Sequence, residues 1–386
     1  MDFSLTPDQQ SLLDGLTGAL QPFDDAYWLD CDRDARFPDA FVKAMADGGW
    51  LGITMPTEHG GSGLGVTEAT LMMGEVARRG GMTAASSIHM NIFGPKAISN
   101  FATPAQQEAW LPDIIAGRTR MCFAVTEPNT GLDTTRLATR AIRQGDRYTI
   151  NGRKVWTSTA QTAHKVMLLA RTADYDPVRP AEGLSLFYTD MNRDAVDVRV
   201  IDKMGRAAVD TNELFIDNLT IPADDLIGDE GQGFRYILHS LNPERILIAA
   251  EACGIGFSAL DRAAAYARDR EVFGRPIGQN QAIQHPLAEG WAKLHAARLL
   301  TLNAAVLYDQ GAPCGVEANA AKYLAAETGL DMCRQAMATH GGMGYAREYH
   351  VERLFREIMI PYLAPVSQQL ALCYVAERAL GLPKSY

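Results

Sequence analysis

The feature that most constrains this chain is a double change of hydrophobic period, from helical to strand-like and back to helical. In residues 8–20, Leu12, Leu13, Leu16 and Leu20 fall at helical spacing. Ser4, Thr6 and Asp8 are candidate N-caps for that helix. Leu71, Met72, Val76 and Ala77 repeat the pattern in residues 67–79. Residues 92–101 and 106–116 continue it, with Pro104 and Pro112 as punctuation. The period then shortens. Residues 166–170, 184–189, 196–201 and 213–216 read as short strands with turn signals between them, the pattern of a compact β-barrel or sandwich. Residues 147–156 form two alternating runs around Asn151-Gly152. That pair is the strongest hairpin signal, because a type I′ turn needs φ > 0 at both central positions. Gln144-Gly145-Asp146 predicts another tight turn just before it. From Gly233 the period is helical again, with long helices predicted over 246–268, 283–307 and 318–340. Long helices joined by short loops make an up-down bundle.

The fold class is therefore α+β and multi-domain, and its 386 residues exceed what one small core needs. An N-terminal helical domain is expected over 1–118, a middle β-barrel or sandwich over 119–232, and a C-terminal four-helix bundle over 233–386. No βαβ alternation and no Gly-rich strand-to-helix turn appears, which argues against a Rossmann dinucleotide site.

A formal net charge of -10 argues against nucleic acid and an anionic membrane surface as partners. A polyanionic ligand can still bind through a few local Arg and Lys residues. The six cysteines (Cys31, Cys122, Cys253, Cys314, Cys333 and Cys373) form no CxxC or other metal-ligand spacing. No metal is expected. The thiols read as reduced and mostly buried, as in a cytoplasmic protein. Met1-Asp2-Phe3-Ser4-Leu5 lacks the basic and apolar regions of a signal peptide. No apolar run approaches the roughly 20 residues of a membrane span.

Two segments carry the chemistry. In the first, Phe123-Ala124-Val125-Thr126-Glu127-Pro128, a β run leads into a Pro/Gly/Asn turn, where backbone amides and a hydroxyl can meet a planar ring edge. In the second, Val155-Trp156-Thr157-Ser158, an indole offers a flat face and the hydroxyls offer donors. Together and in this order the segments resemble the acyl-CoA dehydrogenase family. So do Arg270-Glu271-Val272-Phe273-Gly274-Arg275-Pro276 followed by Gln281, and His340-Gly341-Gly342-Met343-Gly344-Tyr345 followed by Val351-Glu352-Arg353.

The resemblance implies FAD as cofactor. It places the contacts to the isoalloxazine on Phe123, Val125 and Thr126, and the covering indole and hydroxyls on Trp156, Thr157 and Ser158. It implies that Arg270 and Phe273, with Gln281, reach the FAD of a neighbouring subunit in a homotetramer or homodimer. Gly341 and Gly342 would allow close backbone approach, and Ser367 and Gln369 match FAD contacts near the C-terminal end. By itself Arg270 also reads as a helix-end cation. The implied activity is α,β-dehydrogenation of an acyl-CoA thioester, with electrons passed to an electron-transferring flavoprotein.

The chain departs from the pattern at the base. Where many members carry a catalytic Glu, counting on from Arg356 arrives at Pro365, after Ala364. Members acting on branched or long acyl chains place the base earlier, in a Glu-Arg pair that matches Glu244-Arg245 here. Glu244 is the expected base and Arg245 the expected contact to the CoA arm. Asn242-Pro243-Glu244 is also a good helix start, with Asn as N-cap, Pro at N1 and an acid in the first turn. Pro365 has no N–H for the thioester carbonyl, and Leu132 stands where many members have a Ser on the thioester arm. These departures point to a branched or bulky acyl group. An oxidase, a desaturase of a carrier-bound acyl chain, or a catalytically silent flavin-binding homologue are the alternatives.

Overall fold

The structure, a computed structural model, describes residues 4–385. Met1 to Phe3, part of the segment read for a leader, lie outside the described residues.

Thr6 opens α1 (Pro7–Leu20). Its hydroxyl accepts from the Gln9 N–H, and the Gln9 side chain accepts from the Thr6 N–H, a capping box. Next come α2 (Asp25–Arg33), α3 (Asp39–Asp47), α4 (Val66–Phe93), α5 (Lys96–Phe101) and α6 (Pro104–Ile115). Pro104 begins α6, as expected, but Pro112 lies inside it. The residue whose carbonyl loses its partner there, Glu108, is exposed to water. α4 is longer than its period suggested and bends at Gly81, whose φ is 72°. A Cβ at Gly81 would stand 2.5 Å from Glu357 Oε2 and 2.7 Å from Arg353 Nη1, so only glycine fits.

The middle of the chain forms β1 (Met121–Ala124), β2 (Arg140–Gln144), β3 (Arg147–Ser158), β4 (Lys165–Arg171), β5 (Leu184–Asp190), β6 (Val196–Val200), β7 (Thr211–Pro222) and β8 (Leu226–Ile227). They make one sheet in the order β6-β7-β3-β2-β4-β5-β8, with β1 parallel beside β4. The hairpin turn expected at Asn151-Gly152 is absent. β3 runs straight through it as one strand of 12 residues, and the tight turn is Gly145, which joins β2 to β3 at φ 65°. Asn151-Gly152 instead marks a slip in the β3–β7 ladder. Gly152 is there because a Cβ would meet Thr139 Oγ1 at 2.4 Å and Thr139 Cα at 2.7 Å. Asn151 Oδ1 accepts from the Asn218 N–H at 2.7 Å. Gly152→Ala is therefore expected to destabilise by about 1–3 kcal/mol through overpacking. An unchanged melting temperature in that variant would contradict the bulge assignment.

α7 (Gly233–Asp269) is one helix of 37 residues with Pro243 inside it. Asn242-Pro243-Glu244 is thus not a helix start. The turns ahead of Pro243 are held by packing, since Tyr236 and Ile237 are buried against the sheet's core and Tyr236 stacks on Phe101 at 4.3 Å. Tertiary contact overrides the local proline signal. A small ribbon, β9 (Glu271–Val272) and β10 (Arg275–Pro276), precedes α8 (Gln281–Asp309) and α9 (Gly315–His340). The chain ends with α10 (Val351–Glu357), α11 (Met359–Leu363) and α12 (Gln368–Leu380).

One apolar core serves both helical regions. Leu16, Phe41, Met72 and Ile88 from the first pack with Leu247, Ile255, Met332 and Leu354 from the last. Glu357 seals the junction, accepting from the Thr83 N–H at 3.0 Å and the Thr83 hydroxyl at 2.6 Å. Among the described residues no single helix is long and apolar enough to cross a membrane, and no group of three or more His, Cys, Asp or Glu side chains is placed to hold a metal.

Candidate active site

β1 lies beside β4, and its continuation, Val125-Thr126-Glu127, runs against β3. The Val155 N–H donates to the Thr126 carbonyl at 2.9 Å. Lys154 Nζ, fully buried, donates to the Val125 carbonyl at 3.0 Å and to Glu127 Oε1 at 2.9 Å. The Glu127 carboxylate also accepts from the N–H groups of Ala138 at 2.7 Å and Thr139 at 2.9 Å. Burial pushes the Glu127 carboxyl up, but Lys154 and these donors outweigh it and hold it below its ordinary value. Burial pulls Lys154 down to about 8, opposed by the Glu127 charge. At neutral pH the pair is ionised, and it locks the two motif segments side by side.

Past Lys154 the ladder to β7 slips a second time. Trp156 takes φ 61° and leaves its indole 61 % exposed. Thr157 turns inward, where its Oγ1 has no partner among the described residues. Ser158 Oγ accepts from Arg206 Nη2 at 3.1 Å. Phe123, half-buried, meets Phe93 edge-on at 5.6 Å. Phe123, Thr126, Trp156 and Ser158 thus belong to one ledge with an uncovered flat face.

Glu244 sits on α7, half-buried. Burial pushes its carboxyl up to about 7; His89 and Arg245 oppose this and Glu251 adds to it. His89 comes from α4, and its ring packs on Phe93 at 4.9 Å. Glu244 and the ledge therefore converge on one stretch of α4. Arg245 Nη1 donates to Asn242 Oδ1 at 3.1 Å, and among the described residues its buried Nε has no partner. With Asn319, Val366, Leu370 and Tyr374, Arg245 lines a cavity of about 190 Å³.

Ala364 and Pro365 are half-buried in the loop between α11 and α12. Lys322 Nζ clamps that loop, donating to the carbonyls of Tyr362 at 3.2 Å and Val366 at 2.6 Å and to Gln368 Oε1 at 2.8 Å. Ser367 caps α12, its hydroxyl accepting from the Leu370 N–H at 3.2 Å, and Gln369 is exposed on the first turn. Leu132 is exposed in the turn after β1.

Arg270, Phe273, Gln281, Gly341 and Gly342 stand apart. All five are exposed, and Phe273, at φ 54°, is completely so. Among the described residues no hydrogen bond, ion pair or ring contact joins them to the ledge. A Cβ at Gly341 or Gly342 would meet nothing within 4 Å of this chain.

Three family descriptions match the chain in order: the acyl-CoA dehydrogenase N-terminal domain over residues 6–118, the middle domain over 122–219 and the C-terminal domain over 231–379. The chain belongs to the acyl-CoA dehydrogenase family. It is 34% identical over 388 residues to acyl-CoA dehydrogenase fadE12 of Mycobacterium bovis, covering 100% of this chain and 99% of that protein. It is 36% identical over 330 residues to a 3-(aryl)acrylate reductase of Clostridium sporogenes, covering 85% of this chain and 87% of the relative. The solved butyryl-CoA dehydrogenase of Megasphaera elsdenii superimposes with a TM-score of 0.93 at 28% identity, covering 98% of this chain and 100% of that one.

Acyl-CoA dehydrogenases are FAD-dependent flavoproteins, oxidoreductases acting on CH–CH groups. The ledge fits a planar cofactor: among the described residues the Trp156 indole has no aromatic neighbour and the buried Thr157 Oγ1 has no hydrogen-bond partner. Sequence reasoning missed Glu127 and Lys154 as the lock of this acyl-CoA dehydrogenase ledge, and His89, Glu251 and Arg206 as its buried polar backing. A signal existed: His89 and Glu251 interrupt otherwise apolar helical stretches, and a charge buried in an apolar face needs a partner.

Proposed function

We propose that this chain dehydrogenates an acyl-CoA thioester to the trans-2-enoyl-CoA, with Glu244 taking the α proton. The observation that carries this is the placement of Glu244: a carboxyl raised to about 7, next to the Arg245 cavity and facing the α4 stretch that backs the ledge. FAD, when bound, supplies the acceptor for the β hydrogen as hydride. Thr126, Thr157 and Ser158 would hold its ring edge, Phe123 and Val125 its setting, and Trp156 its exposed face. Arg245 would hold the CoA arm. Pro365 has no N–H, so the neighbouring Val366 N–H, in the loop clamped by Lys322, would serve as the backbone donor for the thioester carbonyl.

Arg270 and Phe273, with Gln281, all exposed, would serve the FAD of a neighbouring subunit in a homodimer or homotetramer, while Gly341, Gly342, Ser367 and Gln369 would be further FAD contacts. Electron-transferring flavoprotein is the proposed acceptor. A branched or bulky acyl group is the proposed substrate class, supported by the base position and by likeness to a relative named for an aryl-substituted acid. The domain limits 1–118, 119–232 and 233–386 and a cytoplasmic location belong to the same reading.

The test is anaerobic bleaching of the flavin across straight, branched and cyclic acyl-CoAs. Bleaching by at least one supports dehydrogenation, peroxide formed in air marks an oxidase, and no bleaching by any marks a silent binder. Because the base must be ionised, the bleaching rate should rise as pH increases through about 7, where the Glu244 carboxyl loses its proton. A rate flat between pH 5 and 9, a range of roughly two units either side, would count against Glu244.

A further inference from the structure

α7 carries two acids on one face. Glu244 and Glu251 are seven residues apart, two helical turns and about 10 Å along the axis. Facing them from α4 is His89, whose Nδ1 lies 2.6 Å from Glu251 Oε1. His89 and Glu251 are both buried, and among the described residues His89 Nε2 and Glu251 Oε2 have no hydrogen-bond partner. One turn earlier on α4, Ser86 accepts from Arg206 Nη1 at 3.1 Å, and Arg206 Nη2 reaches Ser158 at 3.1 Å and Thr211 at 2.7 Å. The His89–Glu251 pair thus lies between the proposed base and the cation behind Ser158.

We propose that His89, held by Glu251, is a positioning residue whose buried imidazolium sets the charge environment of Glu244 and keeps that carboxylate available as a base. This rests on the reading of Glu244 as the base. The groups facing Glu244 are Arg245 and Glu251 from α7 and His89 from α4. Those facing His89 are Glu251, Glu244 and Arg206, and Arg206 in turn faces Glu357, Asp210 and Glu251. Burial pulls the His89 ring down, but the Glu251 carboxylate outweighs it and holds the ring above its ordinary value. The Glu251 carboxylate therefore favours the protonated form of the His89 ring. When the ring is protonated, its attraction for Glu244 exceeds the repulsion from Glu251. A plain packing histidine needs neither a carboxylate partner nor a charge. This pair joins a buried carboxylate to the ring at 2.6 Å, two turns from the base.

The test uses the FAD-loaded enzyme and two readouts. Infrared titration without substrate follows the Glu244 carboxyl band, identified by its loss in Glu244→Gln. Anaerobic bleaching gives the acid limb of the rate. In His89→Gln the Glu251 charge is left uncompensated, so both midpoints should rise by about one pH unit or more. Adding Glu251→Gln should bring them back to within a few tenths of a unit of wild type, by removal of the like charge. Midpoints unmoved in His89→Gln, with flavin content and melting temperature retained, would overturn the proposal. If that variant loses flavin, nitrogen-15 NMR of the wild-type enzyme decides: His89 found neutral at pH 7 overturns the proposal, and an imidazolium that becomes neutral in Glu251→Gln supports it. The infrared midpoint needs no turnover, so failure of acyl-CoA to bleach the flavin would sink the dehydrogenase reading separately.

Discussion

Glu244→Gln is expected to lower the rate of flavin bleaching by acyl-CoA by about 10³-fold, within the range a positioned general base contributes. The amide keeps the shape of the side chain but cannot take a proton, so acyl-CoA affinity should change only a few-fold. Single-turnover kinetics with a ligand titration separates the two effects, and bleaching at the wild-type rate would remove Glu244 from the mechanism. Stability should move the other way. The folded carboxyl is raised from 4.5 to about 7, so the proton is held more tightly in the native state. That contribution is present below about pH 4.5 and is lost as pH rises through about 7. Above pH 7 the Gln variant should therefore melt higher than wild type, as groups held strained for chemistry commonly do when replaced.

The second large effect is at the ledge. Glu127→Ala removes the counter-charge of a fully buried ammonium, together with the acceptor for two backbone N–H groups. Breaking a buried pair in this way costs about 3–5 kcal/mol. The melting temperature should fall by on the order of 10 °C, and FAD should dissociate more readily as the Thr126 and Trp156 segments separate. Combining Glu127→Gln with Lys154→Met removes both buried charges and should recover part of the loss. A Glu127→Ala protein that keeps its flavin and melting temperature would show that the pair does not hold the ledge.

Much of this was legible in the chain, for reasons that differ by level. The α, β, α order follows from period alone, because burying one face of a helix or strand leaves a repeat that neighbours cannot erase. The Asn151-Gly152 and Asn242-Pro243-Glu244 readings failed because both signals are local and both sites are decided by contacts far away. Thr139 needs the missing Cβ at Gly152, and Tyr236 with Ile237 anchors α7 upstream of Pro243. The expectation that Glu244 is the base comes from family likeness, since nothing in its neighbours distinguishes it from a capping acid. The Glu127–Lys154 and His89–Glu251 pairs join residues 27 and 162 positions apart, and no periodicity reports such a pairing.

The single core shared by the first and last helices has a consequence for synthesis. α1 to α4 are made first, but their apolar faces wait for Leu247, Ile255, Met332 and Leu354, and the bend at Gly81 waits for Arg353 and Glu357. At about 5–20 residues per second, that interval lasts on the order of tens of seconds. Once β8 has been made, the β domain can close on itself while the nascent N-terminal helices remain sticky on the ribosome. A chain released early, with α10 missing, would have a finished sheet between two unfinished halves and would be a client for chaperones and proteases.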